Sequence, residues 1–174
     1  QPANSALGNG WRSWKRRPPQ TAIEWLRTFQ KPMKILAHGI DLVEFGRLEQ
    51  MLGRHGQRML DRVFTVREQA DAQHLRNRIE RLAGRFAAKE AVMKLVGTGW
   101  RDGIAWTDVE VINDALGRPL VYICGRVKEL ADAQGIQQIK LSITHTDRFA
   151  MASAVALADA MTPSEERPAH PDSE

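Results

Sequence analysis

Cysteine, long apolar runs and paired histidines are all scarce in this sequence. Its single cysteine, Cys124, excludes an intramolecular disulfide framework and a cysteine-rich zinc site, and it fits a reducing cytoplasm. No apolar run approaches the roughly 20 residues that a membrane-spanning helix needs. The five histidines are dispersed, so no pair has the spacing of zinc ligands. What is left is a chain of 174 residues, 43% hydrophobic and 26% charged, which is typical of one globular domain.

Two kinds of catalytic site also find no support. A P-loop is missing, because the glycine turn at residues 97–99 follows a predicted helix instead of opening one. Cys124 is not expected to be a nucleophile, since a lone cysteine within a strand is more often buried and inert. On its own, His145 is more typical of a turn or strand end than of a catalyst.

Positive charge is concentrated at one end of the chain. Residues 1–32 carry a net charge of +5, residues 163–174 carry −3, and residues 33–162 carry +2. We therefore predict a basic extension outside the core at residues 1–32, a folded domain at 33–161, and a disordered polar tail at 162–174. Met33 is the expected native start. The nearly balanced domain argues against a nucleic-acid-binding role, which would concentrate positive charge on the folded face.

The hydrophobic pattern predicts an α+β fold in which a long helix packs on an antiparallel sheet. The first strand reads MKILAHGIDLVEF, with one apolar face and the other face ending at Asp41. Thr65 and Glu68 form a predicted capping box. Predicted helices span residues 45–59, 66–76, 78–96 and 126–134, and the later predicted strands span 106–113, 120–124, 139–145 and 149–157.

The long helix contains GRFAAKEAVMKLVGTG at residues 84–99. At helical spacing Glu90 shares a face with Phe86 and Met93, so its carboxylate is expected to point inward. Arg81, Arg85 and Lys89 form a neighbouring basic stripe. The simpler alternative is a solvated helix with a Glu90–Lys94 pair worth about 0.3–0.5 kcal/mol.

Asp41 and Glu90 are the candidate metal ligands. A carboxylate in an apolar strand must be hydrogen-bonded, paired or bound to a metal, and pairing with an arginine is the structural alternative for Asp41. If helix and strand pack together, the two carboxylates meet and a cation between them relieves their repulsion. Mg²⁺ suits such sparse ligation, since it keeps waters and accepts oxygens from a substrate phosphate.

A second stripe lies on the helix at residues 45–59 and comprises Arg47, Met51, Arg54 and Arg58. Three arginines around a methionine suit docking onto an acidic helix with a small apolar patch. A solvated basic face is the alternative.

Four segments in this order resemble one known family: GIDLVEFGRL, GRFAAKEAVMKLVGTG, ND followed by GRP, and LSITHT. Together they resemble the holo-acyl-carrier-protein synthases, the small, single-repeat class of 4′-phosphopantetheinyl transferases. The match covers residues 33–157. The two-repeat transferases of broader specificity are disfavoured because the chain has no second repeat.

The resemblance implies the 4′-phosphopantetheinyl transferase fold and transfer of 4′-phosphopantetheine from coenzyme A to a serine of apo-acyl carrier protein, which releases adenosine 3′,5′-bisphosphate and serves fatty acid biosynthesis. It places Mg²⁺ and the coenzyme A pyrophosphate at Asp41 and Glu90, and Lys94 beside the phosphates. Glu90, directly or through a metal-bound water, is the candidate base. The resemblance also implies a homotrimer with active sites at subunit interfaces. The implied coenzyme-binding residues are Arg85, Lys89, Gly97, His145 and Thr146, and the implied carrier-docking residues are Arg47, Met51, Arg54 and Arg58, the last reached only with a one-residue insertion.

The alternative from another class is a non-catalytic basic module that docks a carrier or contacts RNA. It would use the basic extension and the face from Arg47 to Arg58. Modification of a carrier in the presence of coenzyme A separates the two hypotheses.

Overall fold

The structure is a computed structural model that describes residues 33–73, 76–97 and 103–160. The predictions for the extension at 1–32 and the tail at 162–174 lie outside the described residues, as do Thr98 and Gly99 of the glycine turn. None of the helices within the described ranges has both the length and the apolar character needed to cross a bilayer.

The predicted helices and strands are all found, with shifts of a few residues at their ends. The helix predicted at 66–76 ends at Ala72, and the strand predicted from Trp106 begins at Val109 after a 3-10 turn. In chain order the elements are β1 (Met33–Glu44), α1 (Phe45–Val63), α2 (Val66–Ala72), α3 (Arg78–Leu95), the 3-10 turn (Trp106–Asp108), β2 (Val109–Asn113), β3 (Pro119–Ile123), α4 (Gly125–Ala133), β4 (Gln138–His145) and β5 (Phe149–Asp159).

The strands form two antiparallel sheets. The larger sheet has the order β1-β5-β4, and β2 pairs with β3 in a separate hairpin. In the larger sheet Asp41 stands opposite Ala152 of β5. The long helix α3 packs on this sheet, contacting both β1 and β5. The prediction of a long helix on an antiparallel sheet is confirmed.

Small side chains allow the helix to lie very close to the sheet. Alternate residues of β5 are alanines that are buried on the helix side: Ala150, Ala152, Ala154, Ala156 and Ala158. On β1, a Cβ added to Gly39 would overlap the carbonyl oxygen of Ala91 and lie 2.9 Å from the backbone nitrogen of Leu95. Glycine is therefore required at residue 39 for close approach. Asp41 follows two residues later on the same strand face, so this contact brings its carboxylate to the helix.

The other face of the larger sheet is not covered by any described element of this chain. Ile40 and Leu42 on β1 are 49% and 60% exposed, and Met151 opposite Leu42 is also exposed. Alternation along β1 thus turns Ile40 and Leu42 outward, while Gly39, Asp41 and the buried Val43 lie on the helix side.

Helix α1 contains a break at Gly56, whose φ of 51° and ψ of −134° are not helical. The helix continues beyond the break to Val63, four residues past the predicted end. Since Arg58 follows the break, it does not continue the regular helical stripe of Arg47, Met51 and Arg54. The insertion expected before Arg58 coincides with this region of the helix.

Candidate functional site

Asp41 and Glu90 line the same cleft although they lie on different elements. The cleft has a volume of about 120 Å³ and lies where β1, α1 and α3 meet. Its lining residues are Asp41, Leu42, Val43, Arg47, Leu48, Met51, Phe86 and Glu90. The close contact at Gly39 explains this convergence.

The two carboxylates influence each other electrostatically. Burial raises the pKa of Glu90, and the negative charge of Asp41 raises it further. Lys94 and Arg47 oppose this rise through their positive charges. A half-buried acid beside a second acid gains from a nearby cation.

Lys94 forms its ion pair with Asp41, and not with Glu90 as the solvated-helix alternative predicts. Its Nζ donates to Oδ1 of Asp41 at 2.7 Å and to the carbonyl oxygen of Ile40 at 3.2 Å. The ammonium remains about half exposed, so it stays accessible from the solvent.

The donor set fits magnesium better than a metal that needs a full protein cage. In residues 33–73, 76–97 and 103–160, no group of three or more His, Cys, Asp or Glu side chains is arranged to hold a metal. Two carboxylates beside a cleft match an ion that keeps several waters and binds substrate phosphate oxygens.

A second cavity of about 300 Å³ lies at the N-terminal half of α3, beside the end of β4 and the β2–β3 hairpin. At its rim, Nε2 of His145 lies 2.7 Å from Oε1 of Glu80. Its lining residues are Asn77, Glu80, Arg81, Gly84, Arg85, Asn113, Gly117, Pro119, Ile143, Thr144, His145 and Ala150.

Arg85 is buried at the wall of this second cavity, with only 2% of its surface exposed. Its Nε donates to the carbonyl oxygen of Val111 at 3.0 Å, and its Nη2 pairs with Asp71. The remaining nitrogen, Nη1, is buried and has no hydrogen-bond partner among the residues that the structure describes. Burial lowers the pKa of Arg85, and the charge of Asp71 opposes that change. A buried donor left unsatisfied is costly.

Lys89 does not lie where a coenzyme contact on a basic stripe is expected. Its side chain is fully buried and lines neither cavity. Its Nζ pairs with Glu68 at 2.8 Å and donates to the carbonyl oxygens of Trp106 and Val109. These contacts leave no donor for a ligand, so the role of Lys89 in this structure is internal.

The other coenzyme-binding candidates sit at chain turns. Gly97 is exposed just after α3 with a φ of 88°, a conformation that favours glycine. Thr146 lies in the β4–β5 turn, where its hydroxyl accepts from the backbone N–H groups of Arg148 and Phe149. Unlike its neighbour His145, Thr146 is not part of the cavity lining.

The candidate docking residues lie next to the two carboxylates. Arg47 and Met51 line the first cleft, while Arg54 and Arg58 are exposed further along α1. The basic side chains therefore begin at the edge of the cleft and extend away from it.

Several contributing residues were missed from sequence. Glu80, in the first turn of α3, forms a hydrogen bond with His145. The signal in the sequence that could have identified it is its position near the start of the helix. Glu68 does form the predicted capping box with Thr65, yet it also lies in the core.

The prediction for Cys124, a buried position within a strand, is wrong. The residue is exposed and lies just before α4.

Comparisons with known proteins agree with the motifs and with this geometry. A family model described as the 4′-phosphopantetheinyl transferase superfamily matches residues 37–154. A holo-[acyl-carrier-protein] synthase of Solibacter usitatus is 41% identical over 121 residues, which cover 70% of this chain and 97% of that protein.

Solved structures give the same result. The crystal structure of holo-[acyl-carrier-protein] synthase from Neisseria meningitidis matches with a TM-score of 0.65 at 31% identity, covering 71% of this chain and 98% of that one. A holo-(acyl-carrier-protein) synthase from Bacillus anthracis in complex with CoA (3′,5′-ADP) matches with a TM-score of 0.60 at 35% identity, covering 72% and 98%.

Sequence, fold and site therefore point to one enzyme class. The predicted α+β fold, the predicted transferase and the resemblance carried by the four motifs are all confirmed. A purely binding module, the alternative from another class, has no counterpart among these relatives. The chain belongs to the 4′-phosphopantetheinyl transferase superfamily, among the holo-[acyl-carrier-protein] synthases.

Proposed function

We propose that Asp41 and Glu90 form the centre at which this chain transfers 4′-phosphopantetheine from coenzyme A to a serine of apo-acyl carrier protein. The observation that carries the proposal is their convergence in one cleft. Two of the predicted carrier-docking residues, Arg47 and Met51, also line this cleft. A phosphoryl acceptor docked on α1 would arrive directly beside the two acids.

The two carboxylates would hold Mg²⁺. When bound, this ion polarises the pyrophosphate of coenzyme A and offsets the charge that develops on the leaving oxygen. The raised pKa of Glu90 supports the assignment, because a second negative charge nearby is the reason for part of the rise.

Lys94 would stabilise the substrate phosphates. In the free protein it pairs with Asp41, and its half-exposed ammonium lies at the site where charge must be balanced. An ammonium on a flexible stem provides a mobile point charge that can reach a phosphate oxygen. Phosphoryl transfer is mainly positioning and charge stabilisation, and a positive side chain beside the phosphates contributes to both.

Glu90 would accept the proton of the attacking serine hydroxyl, directly or through an intervening water. Glu90 is the more available acceptor of the two acids, because the ammonium of Lys94 donates to the carboxylate of Asp41.

The second cavity would receive the adenosine 3′-phosphate end of coenzyme A. It lies along α3 from the carboxylates and presents Arg81, Arg85 and His145. The positive charges of Arg81 and Arg85 at this cavity support a role in anion binding. Gly97 and Thr146 stay as predicted coenzyme contacts.

The chain would assemble as a homotrimer through the open face of the larger sheet. Exposed Ile40, Leu42 and Met151 form an apolar row there. Contiguous exposed apolar side chains on a sheet are typical of an interaction surface. The family resemblance implies the trimer and sites shared between subunits. The cytoplasm is the proposed setting.

The test is to incubate the protein with coenzyme A, Mg²⁺ and an apo-acyl carrier protein, and to weigh the carrier by mass spectrometry. We expect a gain equal to one 4′-phosphopantetheine per carrier and none when Mg²⁺ is replaced by EDTA. Binding of the carrier without any mass gain would instead favour the non-catalytic docking module.

A further inference from the structure

The core of the protein contains an ion pair that the proposed chemistry does not use. Glu68 on α2 and Lys89 on α3 both have no exposed surface, and Oε2 of Glu68 lies 2.8 Å from Nζ of Lys89. The ring of Phe64 lies 5.9 Å from the same ammonium. Lys89 directly precedes the proposed base, Glu90.

The pair joins four segments that meet at this point. Glu68 accepts the backbone N–H of Thr65 at 2.8 Å and that of Val111 at 2.9 Å, which ties the start of α2 to β2. Lys89 donates to the carbonyl oxygens of Trp106 and Val109, which ties α3 to the 3-10 turn and β2.

One of these links reaches the wall of the carboxylate cleft. Lys89 holds the carbonyl of Trp106, and the ring of Trp106 packs against Phe86 with centroids 4.7 Å apart. Phe86 lines the cleft that contains Glu90. Helix α3 is thus held on one side by the sheet contact at Gly39 and on the other by the buried ammonium.

A buried ion pair is a costly way to gain stability, because both charges lose their hydration. Apolar residues of similar size often replace such pairs without loss of stability. An ammonium differs from a hydrocarbon in making several directional hydrogen bonds, and here they fix two carbonyl oxygens and the rotation of α3. Such fixed geometry supports catalysis, because residues that act on a substrate must be held in position by the residues packed behind them.

We propose that the Glu68–Lys89 pair positions the active site, with Lys89 holding the Trp106–Phe86 wall and thereby the placement of Glu90 in the cleft. The inference rests on the proposed role of Glu90. It assigns Lys89 no contact with substrate or metal, so Lys89 is a positioning residue.

The decisive protein is the full chain carrying Glu68→Gln together with Lys89→Met. This double variant removes both charges, keeps an acceptor for the N–H of Val111 and deletes the donors to Trp106 and Val109.

The matched control is Ile136→Ala, which removes buried apolar volume just before β4 and outside both cavities. Folding is followed by circular dichroism and thermal melting. The functional measurements are kcat and KM for coenzyme A, and Mg²⁺ binding by calorimetry in the presence of coenzyme A.

We expect the double variant to fold, to lose of the order of 10-fold to 100-fold in kcat/KM, and to bind Mg²⁺ more weakly. Ile136→Ala should keep the wild-type values at temperatures where it is folded, even with a lower Tm. A folded double variant with wild-type kcat/KM and Mg²⁺ affinity would overturn the proposal.

A second variant decides the matter if the double variant does not fold. Trp106→Leu leaves the ion pair in place but removes the ring from Phe86, and it should lose activity and Mg²⁺ affinity in the same way. Wild-type values for folded Trp106→Leu would also overturn the proposal. Glu90→Gln is measured alongside: if it is fully active, the assigned role of Glu90 has failed independently of Lys89.

Discussion

The ammonium of Lys94 lies 2.7 Å from the carboxylate of Asp41, although 53 positions separate them in the chain. Lys94 is one helical turn beyond Glu90, and Arg47 also lines the cleft, so two positive side chains lie near the two acids. This arrangement keeps the site close to charge balance.

Removing either carboxylate should abolish metal-dependent transfer. We expect Asp41→Ala and Glu90→Ala each to lower the transfer rate by roughly 100-fold or more while the fold is retained, because each removes a ligand for the charge-stabilising ion. Mass spectrometry of the carrier measures the rate, and circular dichroism checks the fold. Asp132→Ala, at an exposed pair on α4, is the control and should be fully active. Near-normal activity in either cleft variant would remove the proposed metal site.

Neutralising Glu90 should stabilise the metal-free protein. Burial and then Asp41 raise the pKa of Glu90 above its ordinary value of 4.5, so the folded protein holds this proton more tightly than the unfolded chain does. Ionised Glu90 therefore lowers stability, and the loss develops as pH rises from 4.5 through the raised pKa. In EDTA we expect Glu90→Gln to have a higher Tm than the wild type at neutral pH, with the difference vanishing below pH 4.5.

Melting curves across the pH range give this comparison, and Glu49→Gln, at an exposed position on α1, is the control. A Tm difference that grows towards acid pH would contradict the assigned direction. In the presence of coenzyme A, added Mg²⁺ should stabilise the wild type more than it stabilises Glu90→Gln.

The close contact between β1 and α3 should not tolerate a methyl group. We expect Gly39→Ala to lower the free energy of unfolding by about 3 kcal/mol, because the added Cβ overlaps the Ala91 carbonyl and the backbone must move. Urea denaturation measures the change. Gly53→Ala is the control: its added Cβ meets nothing within 4 Å in α1, and we expect a gain of about 0.5–1 kcal/mol. Equal effects would mean that the contact at residue 39 is looser than described.

Charge reversal on α1 should affect the carrier far more than coenzyme A. Arg47→Glu combined with Arg54→Glu is expected to raise the KM for the carrier by roughly 10-fold or more and to weaken its salt dependence. Arg54→Glu alone is the cleaner variant, since Arg47 also lines the carboxylate cleft. Arg126→Glu on α4 is the control. Steady-state kinetics measure the KM values for the carrier and for coenzyme A. Equal rises in both values would mean that the docking face lies elsewhere.

The segment at residues 1–32 should be dispensable. Its composition sets it apart from the domain predicted to begin at Met33, and the family model matches residues 37–154. A chain starting at Met33 is expected to retain the kcat and KM of the full chain in the carrier assay. A large loss of activity would show that these residues belong to the working enzyme.

The order of elements could be predicted because local signals specify it. Apolar periodicity indicated α3 and the strands of the larger sheet, and the capping box marked the start of α2. The convergence of Asp41 and Glu90 could also be predicted from the local pattern, provided that α3 packs on β1. Gly39 is the residue that allows this close packing, but its importance becomes clear only when the position of α3 is known.

The burial of charged side chains could not be predicted in this way. Arg85 and Lys89 look like a solvated stripe on the helix, but α2 and β2 cover that side and supply Asp71, Glu68 and backbone carbonyls. Helical periodicity says which residues share a face and not which other element lies over it. Likewise, the break at Gly56 depends on a backbone conformation that the arginine spacing does not reveal.

The row of alanines on β5 has a consequence for the separation of the two acids. Mainly methyl groups and the glycine at residue 39 lie between α3 and the strands β1 and β5. Because such groups have no rotamers, the distance between the backbones of Asp41 and Glu90 changes little when side chains repack. The two acids start from a fixed backbone separation, so any adjustment to a ligand has to come from rotation of their own side chains.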